Sequence, residues 1–144
     1  VEPSQVSETQ TYVKPAQQPM LRVLVVDDNV DAAKALAMLL GYFHCDVEVA
    51  FDGESALAAA EHAEPQVGIL DLGLPRIDGF ELARRIRRHP WGKRTLLIAL
   101  SGWGQEEDRI RSREAGFDLH LVKPVDSQAL LKILDTVRTE LPPE

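Results

Sequence analysis

Five short apolar runs alternate strictly with five segments of helical periodicity, and this alternation restricts the fold more than any other feature. The runs are "LRVLVVD", "DVEVA", "VGILDL", "TLLIAL" and "DLHLV". Between and after them lie "VDAAKALAMLLGYF", "GESALAAAEHA", "GFELARRIRR", "QEEDRIRSREAG" and "DSQALLKILDTVRTEL". Most of the runs are apolar throughout rather than every second residue. Such strands belong to a parallel sheet covered on both faces, and helices following strands supply the covers. Right-handed crossovers then give an α/β, doubly wound, five-stranded parallel sheet with helices on both faces.

Punctuation supports the alternation. Asp28 or Asn29 caps the first helix and Gly41 stops it. Pro65 ends the second helix and "HPWG" the third. The fourth starts with acids and ends at a glycine, which suits the helix dipole. It has little besides Ile110 and Ala115 to bury, so it is either a plain surface helix or a mobile, partner-facing element. The fifth carries Leu130, Leu131, Leu134 and Val137 on one face. Residues 1–20 are rich in Pro, Gln, Ser and Thr with no period of 2 or 3.6, and read as a disordered linker or tail. Residues 21–141 form the folded domain. Val1 in place of Met fits a piece of a longer chain.

Composition removes several function classes. The 144 residues suit one domain, with 44% apolar and 27% charged residues. The net charge of -7 argues against nonspecific nucleic-acid binding, which needs a basic face. No apolar run spans a membrane and no signal peptide opens the chain, so direct membrane contact is not expected and a cytoplasmic setting is. The single cysteine, Cys45, excludes an internal disulfide and reads as a small buried apolar residue.

In an open parallel sheet, ligands bind at the carboxyl ends of the strands. Asp27 and Asp28 follow the first strand and Asp71 the third. Ser101, then Gly102, follows the fourth, and Lys123, then Pro124, the fifth. Each has an ordinary explanation when taken alone: a helix cap for Asp27, Asp28 or Ser101, a turn residue for Asp71, a surface amine for Lys123. Capping does not explain three acids, a hydroxyl and a lysine at one sheet edge. The first, third and fourth strand ends converge on one pocket if the strand order is 2-1-3-4-5. Carboxylates held so close repel one another, and each unit of pKa shift costs about 1.4 kcal/mol. Such a site wants a cation, and an all-oxygen donor set suits Mg²⁺ or Mn²⁺. His44, His62, His89 and His120 are scattered, which speaks against zinc. One divalent ion plus Lys123 balances three carboxylates and leaves room for a further dianion such as a phosphoryl group.

From about Leu21 to Leu141 the chain resembles the receiver domain of two-component response regulators. The motifs are "VLVVDDN", "ILDLGLPRIDGFEL", "LIALSGWG" and "GFDLHLVKPVD". Each is weak alone; together and in this order they are highly specific. The resemblance implies the flavodoxin-like strand order 2-1-3-4-5, a property of the family that spacing alone does not supply. It implies Asp71 as the phosphoryl acceptor and a metal ligand, Asp28 as a direct Mg²⁺ ligand, Asp27 assisting through water, and the Gly73 backbone carbonyl as a further ligand. Ser101 would hydrogen-bond the phosphoryl group and Lys123 would pair with it. Gly102 is small where the family needs room, and the Lys123–Pro124 peptide bond is usually cis in the family.

The partners so implied are a histidine kinase or phosphotransfer protein and a downstream protein. The latter would read a face built from the fourth helix, fifth strand and fifth helix, with no nucleic acid bound. Two residues depart from the commonest pattern. His120 stands where Tyr or Phe is usual, at the position that in the family rotates with the Ser or Thr (here Ser101) as the switch; it is either that switch, with pH dependence near neutrality, or a partly buried strand residue. Trp103 is a shield over the acyl phosphate, a docking contact or a surface residue. The last motif and the leader resemble the C-terminal receiver of a hybrid sensor histidine kinase; a stand-alone single-domain regulator is the alternative. Other classes fit less well. A haloacid-dehalogenase-type hydrolase expects Asp-x-Asp after the first strand, and a flavin binder would find "DDNVD" repelling its phosphate. A non-phosphorylated interaction module would be expected to lack Asp28, Asp71 or Lys123.

Overall fold

The computed structural model describes residues 20–102 and 104–140. Apart from Met20, the linker reading of residues 1–20 falls outside them, as does Trp103. The elements are β1 (Leu21–Val26), α1 (Val30–Tyr42), β2 (Cys45–Ala50), α2 (Gly53–Ala63), β3 (Val67–Asp71), α3 (Gly79–Arg87), β4 (Leu96–Ser101), α4 (Glu106–Ala115), β5 (Leu119–Val122) and α5 (Ser127–Glu140). All strand pairs are parallel, in the order β2-β1-β3-β4-β5. The doubly wound α/β sheet expected from the sequence is the observed fold.

Alternate side chains along each strand feed two cores, because successive residues point to opposite faces. Leu24, Val26, Leu70, Leu97 and Ala99 pack with Ala56 and Ala60 of α2, Leu82 and Ile86 of α3, and Ala115 of α4. Val23, Val25, Ile69, Ile98 and Leu100 pack with Ala33 and Leu40 of α1 and with Leu130 and Leu134 of α5. A strand with a core on each face is apolar on both sides along its covered length, and this is why period 2 vanishes from the middle of β1, β3 and β4.

Three local expectations change. Gly41 does not stop α1, which continues through it to Tyr42. The chain reverses instead at His44, whose φ of 62° is left-handed. Ile110 is not buried: it is 42% exposed, and Ser112 joins Ala115 on the buried side of α4. β5 is an edge strand whose end residues Leu119 and Val122 are exposed, so cover reaches only its middle, through Leu121 and His120. A short 3-10 turn at Trp91–Lys93, within "HPWG" and the residue after it, was not anticipated.

Asn29, one of the two expected caps, accepts the Ala32 amide hydrogen at 3.0 Å. Asn29→Ala should lower stability by about 1 kcal/mol. Urea unfolding should show an earlier midpoint with unchanged slope, and Asn29→Asp should restore it. A midpoint unmoved by the alanine would mean that water replaces the cap at no cost.

Candidate functional site

The strand register brings the polar residues together. Val26 is level with Leu70 across β1 and β3, so the next residues, Asp27 and Asp71, emerge side by side. Both carboxylates are buried, while Asp28, one residue on, is exposed. Ligand oxygens of Asp27, Asp28 and Asp71 all lie within 4.8 Å of one another.

Lys123 arrives from the far edge of the sheet. Its backbone amide donates to the Ser101 carbonyl at 2.8 Å, which anchors the end of β5 to the end of β4. Its Nζ donates to Asp27 Oδ2 and to Asp71 Oδ2, each at 3.1 Å. The Lys123–Pro124 peptide bond is cis, in agreement with the resemblance. The Gly73 amide donates to Asp71 Oδ1 at 3.0 Å, and the Asn29 amide donates to Asp27 Oδ1 at 3.0 Å. Each buried carboxylate thus has one oxygen on a backbone amide and the other on the ammonium. A Cβ added at Gly102 would meet no atom within 4 Å, so the space beside it is open.

Burial pushes the Asp71 carboxyl above the ordinary range; the Gly73 amide and Lys123 pull it back in part, and Asp27 adds to the rise. Burial alone would lower the Lys123 ammonium, but hydrogen bonds and charge from Asp27 and Asp71 outweigh it and hold the group above its usual value. Three carboxylates against one ammonium leave an excess of negative charge. That donor set, all oxygen and partly open through Asp28, fits a hard divalent ion such as Mg²⁺.

Ser101 and His120 pair with each other. Ser101 Oγ lies 2.7 Å from His120 Nε2 and accepts the Gly104 amide hydrogen at 3.2 Å. Sequence reasoning singled out both residues but missed Ser112 of α4, whose Oγ is 3.3 Å from His120 Nδ1. The one available signal was a serine in a helix with few apolar residues to bury. A cavity of about 570 Å³ opens at the opposite end of the sheet, lined by Arg22, Arg87, Trp91 and Leu96 among others. It contains none of the carboxylates described above.

Residues 23–135 match the response regulator receiver domain family. The chain belongs to this family. It is 35% identical over 122 residues to an uncharacterized 14.6 kDa protein of Leptolyngbya boryana, covering 85% of this chain and 93% of that protein. It superposes on the chemotaxis response regulator CheY4 of Vibrio cholerae with a TM-score of 0.76 at 33% identity, covering 82% and 98% of the two chains. It also resembles the receiver domain of sensor histidine kinase PA1611 from Pseudomonas aeruginosa, solved with a magnesium ion coordinated in its active site cleft. That match has a TM-score of 0.76 at 28% identity and covers 84% and 99% of the two chains. The chain spans only 46% and 42% of two relatives that are transcriptional regulators. Receiver domains bind Mg²⁺ at an acidic pocket, and Asp27, Asp28 and Asp71 form such a pocket here. No helix among the described residues is long and apolar enough to cross a membrane.

Proposed function

We propose that this receiver accepts a phosphoryl group on Asp71 from a phosphohistidine of a histidine kinase or phosphotransfer protein. The observation that carries the reading is the Lys123 ammonium joining Asp27 and Asp71 beside Asp28. A carboxylate oxygen of Asp71 attacks phosphorus, the phosphorus–nitrogen bond breaks, and the imidazole leaves with that electron pair. The protein mainly positions and neutralises. Asp28, Asp71 and the Gly73 carbonyl would hold Mg²⁺ (or Mn²⁺), with Asp27 assisting through water, and the ion would offset charge on the transferring oxygens. Lys123 pairs with the phosphoryl oxygens, Gly102 leaves them room, and Ser101 donates to one of them after transfer.

The output face is α4, β5 and α5. Exposed Ile110, Leu119 and Val122 give it apolar contact area for a downstream protein. Residues 21–141 act as the receiver unit and residues 1–20 as its linker, in a cytoplasmic phosphorelay without nucleic-acid contact. Likeness to the PA1611 receiver supports a place within a hybrid sensor histidine kinase. A stand-alone regulator is the alternative, since the Leptolyngbya relative is itself a 14.6 kDa protein. The size of the native polypeptide on an immunoblot of source cells separates the two.

The direct test is intact mass after incubation with acetyl phosphate. One phosphoryl adduct with Mg²⁺ and none with excess chelator is the expected result. A folded protein that binds Mg²⁺ but gains no mass from any phosphodonor would make the domain an interaction module.

A further inference from the structure

The hydrogen-bond chain running from the end of β4 through β5 to α4 has a direction that can be worked out proton by proton. Ser112 is 2% exposed, and its Oγ donates to the Arg109 carbonyl at 2.9 Å. A hydroxyl has one hydrogen, so toward His120 Nδ1 the Ser112 oxygen can only accept. Nδ1 therefore carries the imidazole proton. A neutral ring has one N–H, so Nε2 is bare and takes the Ser101 hydroxyl hydrogen across the 2.7 Å contact. The Gly104 amide fills a lone pair on Ser101. The opposite tautomer would turn Nε2–H onto Ser101 and deprive Nδ1 of its proton beside an oxygen with no hydrogen to give.

We propose that Ser112 is a positioning residue that holds neutral His120 as its Nδ1–H form. This commits the Ser101 hydroxyl hydrogen to Nε2, and engagement of a phosphoryl group by Ser101 takes up one proton at His120 Nε2. The linkage rests on Asp71 being the phosphoryl acceptor. To donate to a phosphoryl oxygen, Ser101 must withdraw its one hydrogen from Nε2. A neutral Nε2 then faces a serine lone pair, acceptor against acceptor. A proton from solvent removes the conflict. Both ring nitrogens of the imidazolium donate, Nε2–H to Ser101 and Nδ1–H to Ser112, and Ser101 is free to donate to phosphate. The phosphoryl charge acts in the same direction.

Without a phosphoryl group the surroundings favour the neutral ring. Burial lowers the His120 pKa first and Arg109 second, with Asp108 opposing. Both charged neighbours lie on α4. From β4, Ala99 stands alongside and Ser101 above; on β5 itself, Lys123 is committed to Asp27 and Asp71. With its folded pKa below the ordinary 6.5, His120 costs the unphosphorylated domain stability as pH falls below that value, because the unfolded chain binds the proton first. A phosphoryl group that raises the folded pKa relieves this cost, so acid favours the loaded state over the unloaded one.

The experiment is a long-range proton–nitrogen correlation on the full chain with nitrogen-15-labelled histidine. It is titrated from about pH 5 to 9, with Mg²⁺ alone and with Mg²⁺ plus beryllofluoride, and fluorine resonance reports loading independently. The unloaded protein should show His120 as the Nδ1–H tautomer. Loading should raise its proton affinity at least about tenfold, one pKa unit. Ser112→Ala should erase the tautomer preference and Ser112→Thr should restore it, which a merely structural role would not do. An Nε2–H tautomer in the unloaded chain overturns the proposal. So does a bound-fluorine signal with the His120 titration unmoved or lowered. Absence of bound fluorine would instead overturn the phosphoacceptor reading and the linkage with it, while the tautomer still decides the role of Ser112.

Discussion

Asp71→Asn is expected to gain no Mg²⁺-dependent phosphoryl adduct and to remain folded. The amide oxygen can keep the Gly73 hydrogen bond, and Lys123, which loses its acceptor at this position, keeps Asp27. What is lost is the negatively charged oxygen that attacks phosphorus, and no other donor–acceptor pair replaces it. Burial disfavours the Asp71 charge and Asp27 adds to the cost, so neutralising it should leave the melting temperature equal or higher. Lys123→Ala separates positioning from nucleophilicity. It keeps the acceptor but removes the ammonium 3.1 Å from both buried carboxylates. Its rate of adduct formation should fall by about 10²–10³, the size expected for one preorganised electrostatic group. An adduct of undiminished yield on Asp71→Asn would move the acceptor to Asp27 or Asp28, and peptide mapping would say which.

The site was easier to read than the surface around it, for a physical reason. Asp27, Asp71, Ser101 and Lys123 each terminate or follow a strand, and a parallel sheet aligns strand ends whatever the helices do. Strand position was therefore enough to bring them together. Interactions set by the rotation of a helix about its own axis were not readable in that way. α4 has almost no apolar stripe, so beyond Ala115 little in its sequence reveals which side faces the sheet. The side chosen buries Ser112 against His120 and leaves Ile110 in water. Gly41 misled for a related reason: a glycine near a helix end is a common stop, but here the tight turn falls further on, at His44, with a φ that costs a histidine more than a glycine. The resemblance drew attention to Ser101 and His120 as a pair. The contact itself, at 2.7 Å, and its extension to Ser112 come only from the packing.

Arg87→Ala should be the most destabilising of the substitutions considered and should leave the chemistry alone. The side chain is 21% exposed and sits at the end of the sheet away from the carboxylates. Its Nε and Nη2 donate to the Gly116 carbonyl at 2.9 and 2.6 Å, and Nη1 donates to the carbonyls of Gly92 at 2.8 Å and Thr95 at 2.6 Å. Nη2 also meets Asp118 Oδ2 at 2.9 Å, an oxygen that in turn accepts the Leu97 amide hydrogen at 2.9 Å. One guanidinium thus ties the end of α3, the turn before β4, the first part of β4 and the loop after α4. Glycine at 116 is part of the arrangement, since a Cβ there would stand 2.9 Å from Arg87 Cγ on a backbone with φ of 112°. Truncation strands three carbonyls in a partly wetted site and removes the ion partner of Asp118, which keeps the Leu97 amide, at a cost of about 2–4 kcal/mol. For a domain of this size that lowers the melting temperature by roughly 10 °C. Arg87→Lys should recover little, because one ammonium cannot reproduce the fork that serves several acceptors at once. At a temperature where the variant is folded, Mg²⁺-dependent phosphorylation should proceed as in the wild type. A melting temperature within about 2 °C of wild type would mean that water satisfies the stranded groups. Lost phosphorylation in a folded Arg87→Ala protein would mean that the two ends of the sheet are coupled, with α3 and α4, both held by this residue, as the route.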